Sequence, residues 1–258
     1  MTCVAAAQRR RGYGFFGEAP KMARPEDFDG AFLFCRIIFR NAPNGDGNGW
    51  GVDYPRADQN LSFRLSELTK TPVSRDASGQ INHVVVQLTD PLLFRCPFTM
   101  MTEPGGAFFD DAEAKALREY VQKGGFLWAD DFWGTYAFQF WADMIGKVFP
   151  PDRHPIVDVP LSDVLFHMLY DVRRIPQIPS INFWAGSGGR TSERGRDSAQ
   201  PQVRAIFDDR GRIMVLMTHN TDFGDAFERE GDDPEFFYKQ SVPGYGFGIN
   251  VLLYALTH

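Results

Sequence analysis

Short apolar runs alternate with helical stripes through the first half of this chain, and that alternation restricts the fold more than any other feature. Residues 31–39 (AFLFCRIIF) are almost continuously apolar, the mark of a strand buried on both faces. Residues 41–51 are rich in Asn and Gly and read as loop. Asp58 is then placed to N-cap a helix carrying Leu61, Leu65 and Leu68 on one side. Residues 84–88 form a second strand that runs into Thr89, Asp90 and Pro91. Asp110 precedes Glu113 by three residues, as in a capping box, and Ala116, Leu117, Tyr120 and Val121 make one apolar stripe. Gly124 stops that helix, residues 126–129 form a third strand, and Asp130 and Asp131 follow. Phe138, Trp141, Ala142, Ile145 and Phe149 share one side of another helix.

The second half is less regular. Short strands are expected within residues 155–160 and 167–172, and a loop over 186–196. Residues 203–207 and 213–217 flank Asp208-Asp209-Arg210-Gly211 and predict a hairpin. The glycines of 244–248 lead into a helix over 249–256 that is apolar on nearly every side and therefore buried. Close helix packing explains those glycines. The pattern predicts an α/β fold of flavodoxin-like type: a mainly parallel sheet, helices on both faces, then a hairpin and a buried helix. Residues 29–258 read as one domain and residues 1–28 as a tail.

Charge and cysteine content narrow the function. Lys and Arg number 27 against 33 Asp and Glu, so a basic nucleic-acid-binding surface is not expected. No run of 18 apolar residues provides a transmembrane segment. Ala5 and Ala7 form an A-x-A pattern ahead of Gln8 and three arginines, like the end of a secretory signal. That predicts a periplasmic or secreted protein, with a cytoplasmic one as the alternative. Cys35 and Cys96 read as buried free thiols, or as one disulfide if the protein is exported. C-x-x-C and H-x-x-x-H spacings are missing, so no zinc motif is present.

In a parallel sheet, ligands bind beyond the carboxyl ends of the strands. The residues expected at that rim are Trp50, Asp53 and Asp58 after the first strand and Asp90 after the second. Asp130 and Asp131 follow the third; His219, Asn220, Asp222 and Asp225 follow the hairpin. Such a set could bind a hard cation through oxygen, or supply an Asp–His pair for acid–base work. Each Asp could equally cap a helix or a turn. There is no G-x-S-x-G elbow, and Gly186-Ser187-Gly188-Gly189-Arg190 lacks the ending of a phosphate-binding loop.

Several segments resemble the family termed domain of unknown function 4159. They are Trp50-Gly51-Val52-Asp53-Tyr54-Pro55, Ala57-Asp58-Gln59-Asn60-Leu61 with Arg64-Leu65, Gly124 through Asp131, His219 through Asp225, and Gly248-Ile249-Asn250-Val251. The likeness spans about residues 29–257. That family is similar to class I glutamine amidotransferase-like domains, which implies a flavodoxin-like sheet. The elbow that carries the amidotransferase cysteine has Ala129-Asp130 here, so glutamine hydrolysis is not implied. Family members are often exported or attached to membrane proteins. The first functional expectation is a domain that binds a small molecule or an envelope protein at the rim, with Trp50, Asp53, Asp90, Asn220, Asp222 and Asp225 as ligand contacts. The second is a hydrolase, metal-assisted or not, using Asp130, Asp131 and His219. A third is a scaffold whose rim carboxylates all serve as caps. The sequence assigns no cofactor and no fixed metal ligand.

Overall fold

The computed structural model describes residues 19–258. The A-x-A pattern and the arginine run lie outside the described residues. Nine strands are present among them: β1 (Phe34–Ile38), β2 (Arg40–Asn41), β3 (His83–Gln87), β4 (Phe98–Thr102), β5 (Ala107–Phe108), β6 (Phe126–Phe132), β7 (Val157–Asp158), β8 (Gln202–Phe207) and β9 (Ile213–His219). Seven of these form one sheet in the order β3-β1-β4-β6-β9-β8-β7. The contacts from β3 through β9 are parallel, while β8 and β7 run antiparallel at one edge. Taken alone, the parallel strands lie in the order second, first, third, fourth, fifth. That is the flavodoxin-like winding, and its topological switch lies between β1 and β4.

Six helices matter for the argument. On one face, α2 (Asp111–Gln122) and α3 (Gly134–Val148) pack with Leu117, Val121, Trp141 and Ile145 against the sheet. On the other, α1 (Arg56–Leu68), α5 (Phe223–Glu228) and α6 (Val242–Thr257) bury Leu61, Leu65, Phe223, Phe227 and Phe247 around Trp128. The short α4 (Ile181–Ser187) stands near the strand ends, capped by Ser180 and closed by Gly188 at φ 73°. Asp110 caps α2 as its sequence predicts, accepting from Ala112 and Glu113 N–H while Glu113 reaches back to the Asp110 N–H. The glycines ahead of residue 249 are helical, so α6 begins at Val242 rather than at 249. A Cβ at Gly248 would stand 2.7 Å from the Phe227 ring and one at Gly244 2.7 Å from Ala226 Cβ, so close helix packing requires these two, whereas Gly246 has room for a side chain.

Three local expectations are corrected. Asp58 does not cap α1, which starts two residues earlier; it is fully buried against Arg36. Residues 167–172 are not a strand, because the Leu169 and Tyr170 N–H groups donate to Asn250 Oδ1 at 2.9 Å instead of to a ladder. Strand β4 was not expected, and with it the neighbour of β1. That neighbour decides between the two readings of the cysteines: Cys35 and Cys96 are joined in a disulfide, with Cα atoms 6.1 Å apart. Cys35 lies opposite Thr99 of β4, which brings Cys96 alongside. Finally, the segment expected as tail is docked from Lys21 onward. Val85 N–H donates to Lys21 O and Ala23 N–H donates to Val85 O along the exposed edge of β3.

Candidate functional site

The loops that leave β1 and β4 flank the topological switch, and they are fastened to each other. Short strands β2 and β5 pair antiparallel, Ala42 N–H donates to Gly106 O at 2.8 Å, and Asp46 N–H donates to Gly105 O at 3.0 Å. Below them, Arg36 rises from β1 and donates to Asp58, to the Trp50 and Val52 carbonyls at 3.2 and 3.0 Å, and to Thr102 Oγ1 at 2.7 Å. This clamp fixes the turn that carries Asp53. Trp50 is therefore a support rather than a lining residue: it is buried beneath the turn, with its ring 5.5 Å from that of Tyr54.

Above the clamp lies a cavity of about 710 Å³. Asp53 comes from the β1 loop, Glu103 from the end of β4, Asp131 from β6, and Asp222, Asp225 and Glu228 from the segment after β9. Among the described residues Asp46, Glu193, Arg194 and Arg229 complete the charged lining, giving eight carboxylates against two guanidinium groups. Both arginines are already engaged, Arg194 with Asp46 at 3.1 Å and Arg229 with Glu228 at 2.9 Å.

Strand irregularity aims one of these acids. Ala129 pairs with Met217 and Phe132 with His219, so β6 has one residue more than β9 over this stretch. Asp131 occupies that bulge at φ 59°, a left-handed conformation uncommon for a residue with a Cβ. Asp53 at φ 62° and Glu103 at φ 49° share it. Three of the four non-glycine residues with positive φ among the described residues are thus carboxylates of one cavity, and local strain of this kind collects at functional sites.

The carboxylates are held by few donors. Asp131 accepts from Trp133 Nε1 at 2.8 Å, and Asp222 accepts from Asp225 N–H at 2.7 Å. Glu103 accepts from Gly49 N–H at 2.6 Å and from Asn48, and Asp225 accepts from Ile181 N–H. Burial dominates the proton balance. It pushes Glu103 up to about 7 and Asp225 up to about 6. Asp53, Asp131 and Asp222 are raised well above the usual carboxylate range, first by burial and then by nearby carboxylates: Asp225 and Glu228 for Asp53, Glu103 and Asp53 for Asp131, and Asp131 and Asp53 for Asp222.

The structure separates the other expected residues from this cavity. Asp130 is buried below it, accepting from Thr218 Oγ1 and from Gly224 N–H at 3.0 Å, and burial pushes it up to about 7. His219 follows Thr218 in β9 and so points to the opposite face, where its ring packs on Phe132 and Phe138 at 5.0 and 5.1 Å. Its nitrogens meet Gly134 O and Gln202 Oε1, both at 3.0 Å, and burial lowers it to about 4, so it is neutral at pH 7. Asp130, Asp131 and His219 are therefore not one catalytic group. Asn220 ties loops together, accepting from Gly134 N–H at 2.8 Å and donating to Gln200 O at 2.9 Å. Asp90 caps a 3-10 turn at the far edge, accepting from Leu92 N–H at 2.9 Å. Glu103 and Glu228 belong to the cavity and were not anticipated. Glu103 follows Phe98–Thr102, whose flanking Pro97 and Pro104-Gly105-Gly106 are the signal that would have marked a strand.

The fold and this strand-end constellation come with a family match. Residues 39–256 match the family described as Domain of unknown function (DUF4159). The chain belongs to that family. The match takes in every strand from β2 to β9 and all the cavity acids named above. No curated protein matches this DUF4159 chain.

Proposed function

We propose that this DUF4159 domain is a binding domain that receives a positively charged ligand in its strand-end cavity. The observation that carries the reading is the charge of the lining, eight carboxylates with two arginines among the described residues, both paired within the protein. Burying so many like charges is unfavourable in the empty cavity. A cation relieves that cost, whereas a phosphate or another anion adds to it. Asp53, Asp131, Asp222 and Asp225 make the principal contacts, with Glu103 and Glu228. Trp50 and Asn220 support the loops.

The site of action is the cell envelope. The Cys35–Cys96 disulfide suits an oxidising compartment. Among the described residues, no helix is long and apolar enough to cross a membrane. The hydrolytic alternative has less support, because its histidine is directed to the other face of the sheet.

A ligand that binds only the folded state raises its stability by mass action. The test is a thermal-shift series on the purified domain with small organic cations, such as spermidine and arginine methyl ester, beside matched anions. The reading expects Tm to rise with the cations alone, and more at pH 8 than at pH 5, because binding competes with protons on Glu103 and Asp225. Equal shifts with cations and anions, or none with any cation, would overturn it.

A further inference from the structure

The floor of the cavity holds a narrower constellation than its rim. One oxygen from each of Asp53, Asp131 and Asp222 lies within 4.8 Å of the other two, and all three residues are buried. We propose that these three carboxylates form a site for a hard divalent cation of the Mg²⁺ or Ca²⁺ class. The proposal deepens the cation-binding reading of the same cavity and rests on it.

Distance supports the assignment. Oxygens on opposite sides of Ca²⁺, each at about 2.4 Å, lie about 4.8 Å apart, and those around Mg²⁺ about 4.2 Å apart. Three oxygens within 4.8 Å of one another stand at most about 2.8 Å from a common point, so closing on one ion asks for shifts of a few tenths of an ångström for Ca²⁺ and somewhat more for Mg²⁺. Asp53 supplies an independent observation. It is 7% exposed, and its Oδ2 has no hydrogen-bond partner among the described residues. A buried carboxylate oxygen without a partner is costly and rare. A cation seated among Asp53, Asp131 and Asp222 would give that oxygen its partner and relieve the like charge of the three at once. Asp53 also belongs to a second cluster with Asp225 and Glu228, which places it at the centre of the acidic floor.

The other two ligands are oriented in advance. Trp133 Nε1 holds one oxygen of Asp131 and the Asp225 N–H holds one of Asp222, the kind of outer support that fixes metal ligands. The donor set is all oxygen, with His219 on the far face and both described cysteines in the disulfide. Oxygen-only donors favour Mg²⁺, Ca²⁺ or Mn²⁺ over Zn²⁺ or Cu²⁺.

The experiment uses the full chain, stripped with a chelator and then titrated with Mg²⁺, Ca²⁺ and Tb³⁺. Tb³⁺ reports through luminescence excited by Trp133. Expected are a Tm rise with Mg²⁺ or Ca²⁺, and Tb³⁺ emission that Ca²⁺ displaces. Asp131→Asn and Asp222→Asn should each weaken binding at least tenfold. Because they remove like charge, the stripped variants should melt no lower than wild type, which shows that the fold is kept. Asp90→Asn should bind as wild type does. The metal site is overturned if wild type gives neither signal at millimolar ion, or if both Asn variants keep full affinity. Should spermidine still stabilise the stripped protein in that case, the cation-binding reading survives and only the metal site falls. Should it not, both fall.

Discussion

Two buried charge clusters lie within a few residues of each other, and they are built on opposite principles. Arg36 and Asp58 are both fully buried, and every demand is met inside the protein: the carboxylate faces the guanidinium, whose remaining N–H groups reach Thr102 and two carbonyls. Asp53, five residues before Asp58, joins Asp131 and Asp222 in a cluster where burial and like charge act together and, among the described residues, no Lys or Arg is bonded to the trio. The first cluster is complete and serves architecture, holding the turn on which Asp53 stands. The second has no such partner among the described residues, and on the proposed reading it takes one from solution. Burial alone does not distinguish them; the local charge balance does.

Breaking the balanced cluster should have the largest effect. Arg36→Met leaves Asp58 buried without its partner, and removing one member of such a pair costs about 3–5 kcal/mol. Urea denaturation measures it. Arg36→Met with Asp58→Leu should recover a good part of that loss, though the Trp50 and Val52 carbonyls stay unserved. A single-variant cost under about 1 kcal/mol would mean that Arg36 is not the clamp.

The unbalanced cluster should instead show itself as a slope with pH. In the ion-free protein Asp225 titrates near 6 and Glu103 and Asp130 near 7, all above the unfolded value of about 4. Between pH 4 and 7 the unfolded chain gives up these protons while the folded protein keeps them. Stability therefore falls as pH rises through that window. His219, lowered to about 4, works the other way, gaining stability as pH rises from 4 to 6.5, but it is one group against several. Denaturation at several pH values in chelator should show the fall. Adding the ligand should flatten it. Stability that climbs from pH 4 to 7 in chelator would place the acids outside a common field.

How much of this was readable in the sequence depends on the kind of signal. The parallel strands with strong apolar runs, the α2 capping box and the hairpin follow from local pattern. Strand β4 does not: Phe98–Thr102 is five residues with two threonines, between a disulfide cysteine and a Pro-Gly-Gly turn. Missing it hid the β1 neighbour and Glu103 together, and left the pairing of Cys35 with Cys96 open. The site was half legible. Asp53, Asp131, Asp222 and Asp225 stand after strands, where the winding brings them together. Whether consecutive residues point up or down needs the bulge at Asp131, which no local pattern marks. That single extra residue sends Asp131 into the cavity and leaves Asp130 beneath it.

A smaller effect separates the role of Asp53 from its mere presence. A Cβ at Gly224 would overlap Asp53 Oδ2 and lie 2.8 Å from its Cγ. Gly224→Ala should cost about 1–3 kcal/mol through overpacking and displace Asp53 from the floor. Cation affinity should fall with it, although no carboxylate has been removed. Unchanged affinity would show that the position of Asp53 is immaterial to binding.

The smallest expected effect is at Asp90, and it sharpens the comparison most cleanly. By sequence Asp90 is equivalent to the cavity acids, an aspartate directly after a strand. In the fold it follows β3, the edge strand on the far side of β1, and its carboxylate is spent on the Leu92 N–H. Asn caps about as well as Asp, so Asp90→Asn should change stability by less than about 0.5 kcal/mol, whereas Asp90→Ala should cost about 1 kcal/mol. Neither should alter cation binding, because the cavity field is made by groups that follow β1, β4 and β9 or stand at the end of β6, and Asp90 is not among them. A measurable loss of cation affinity in Asp90→Asn would mean that the acids act through total charge rather than through the geometry of the floor. Unaltered affinity there, beside a loss in Asp131→Asn, would assign binding to the place where the winding brings carboxylates together and not to their number.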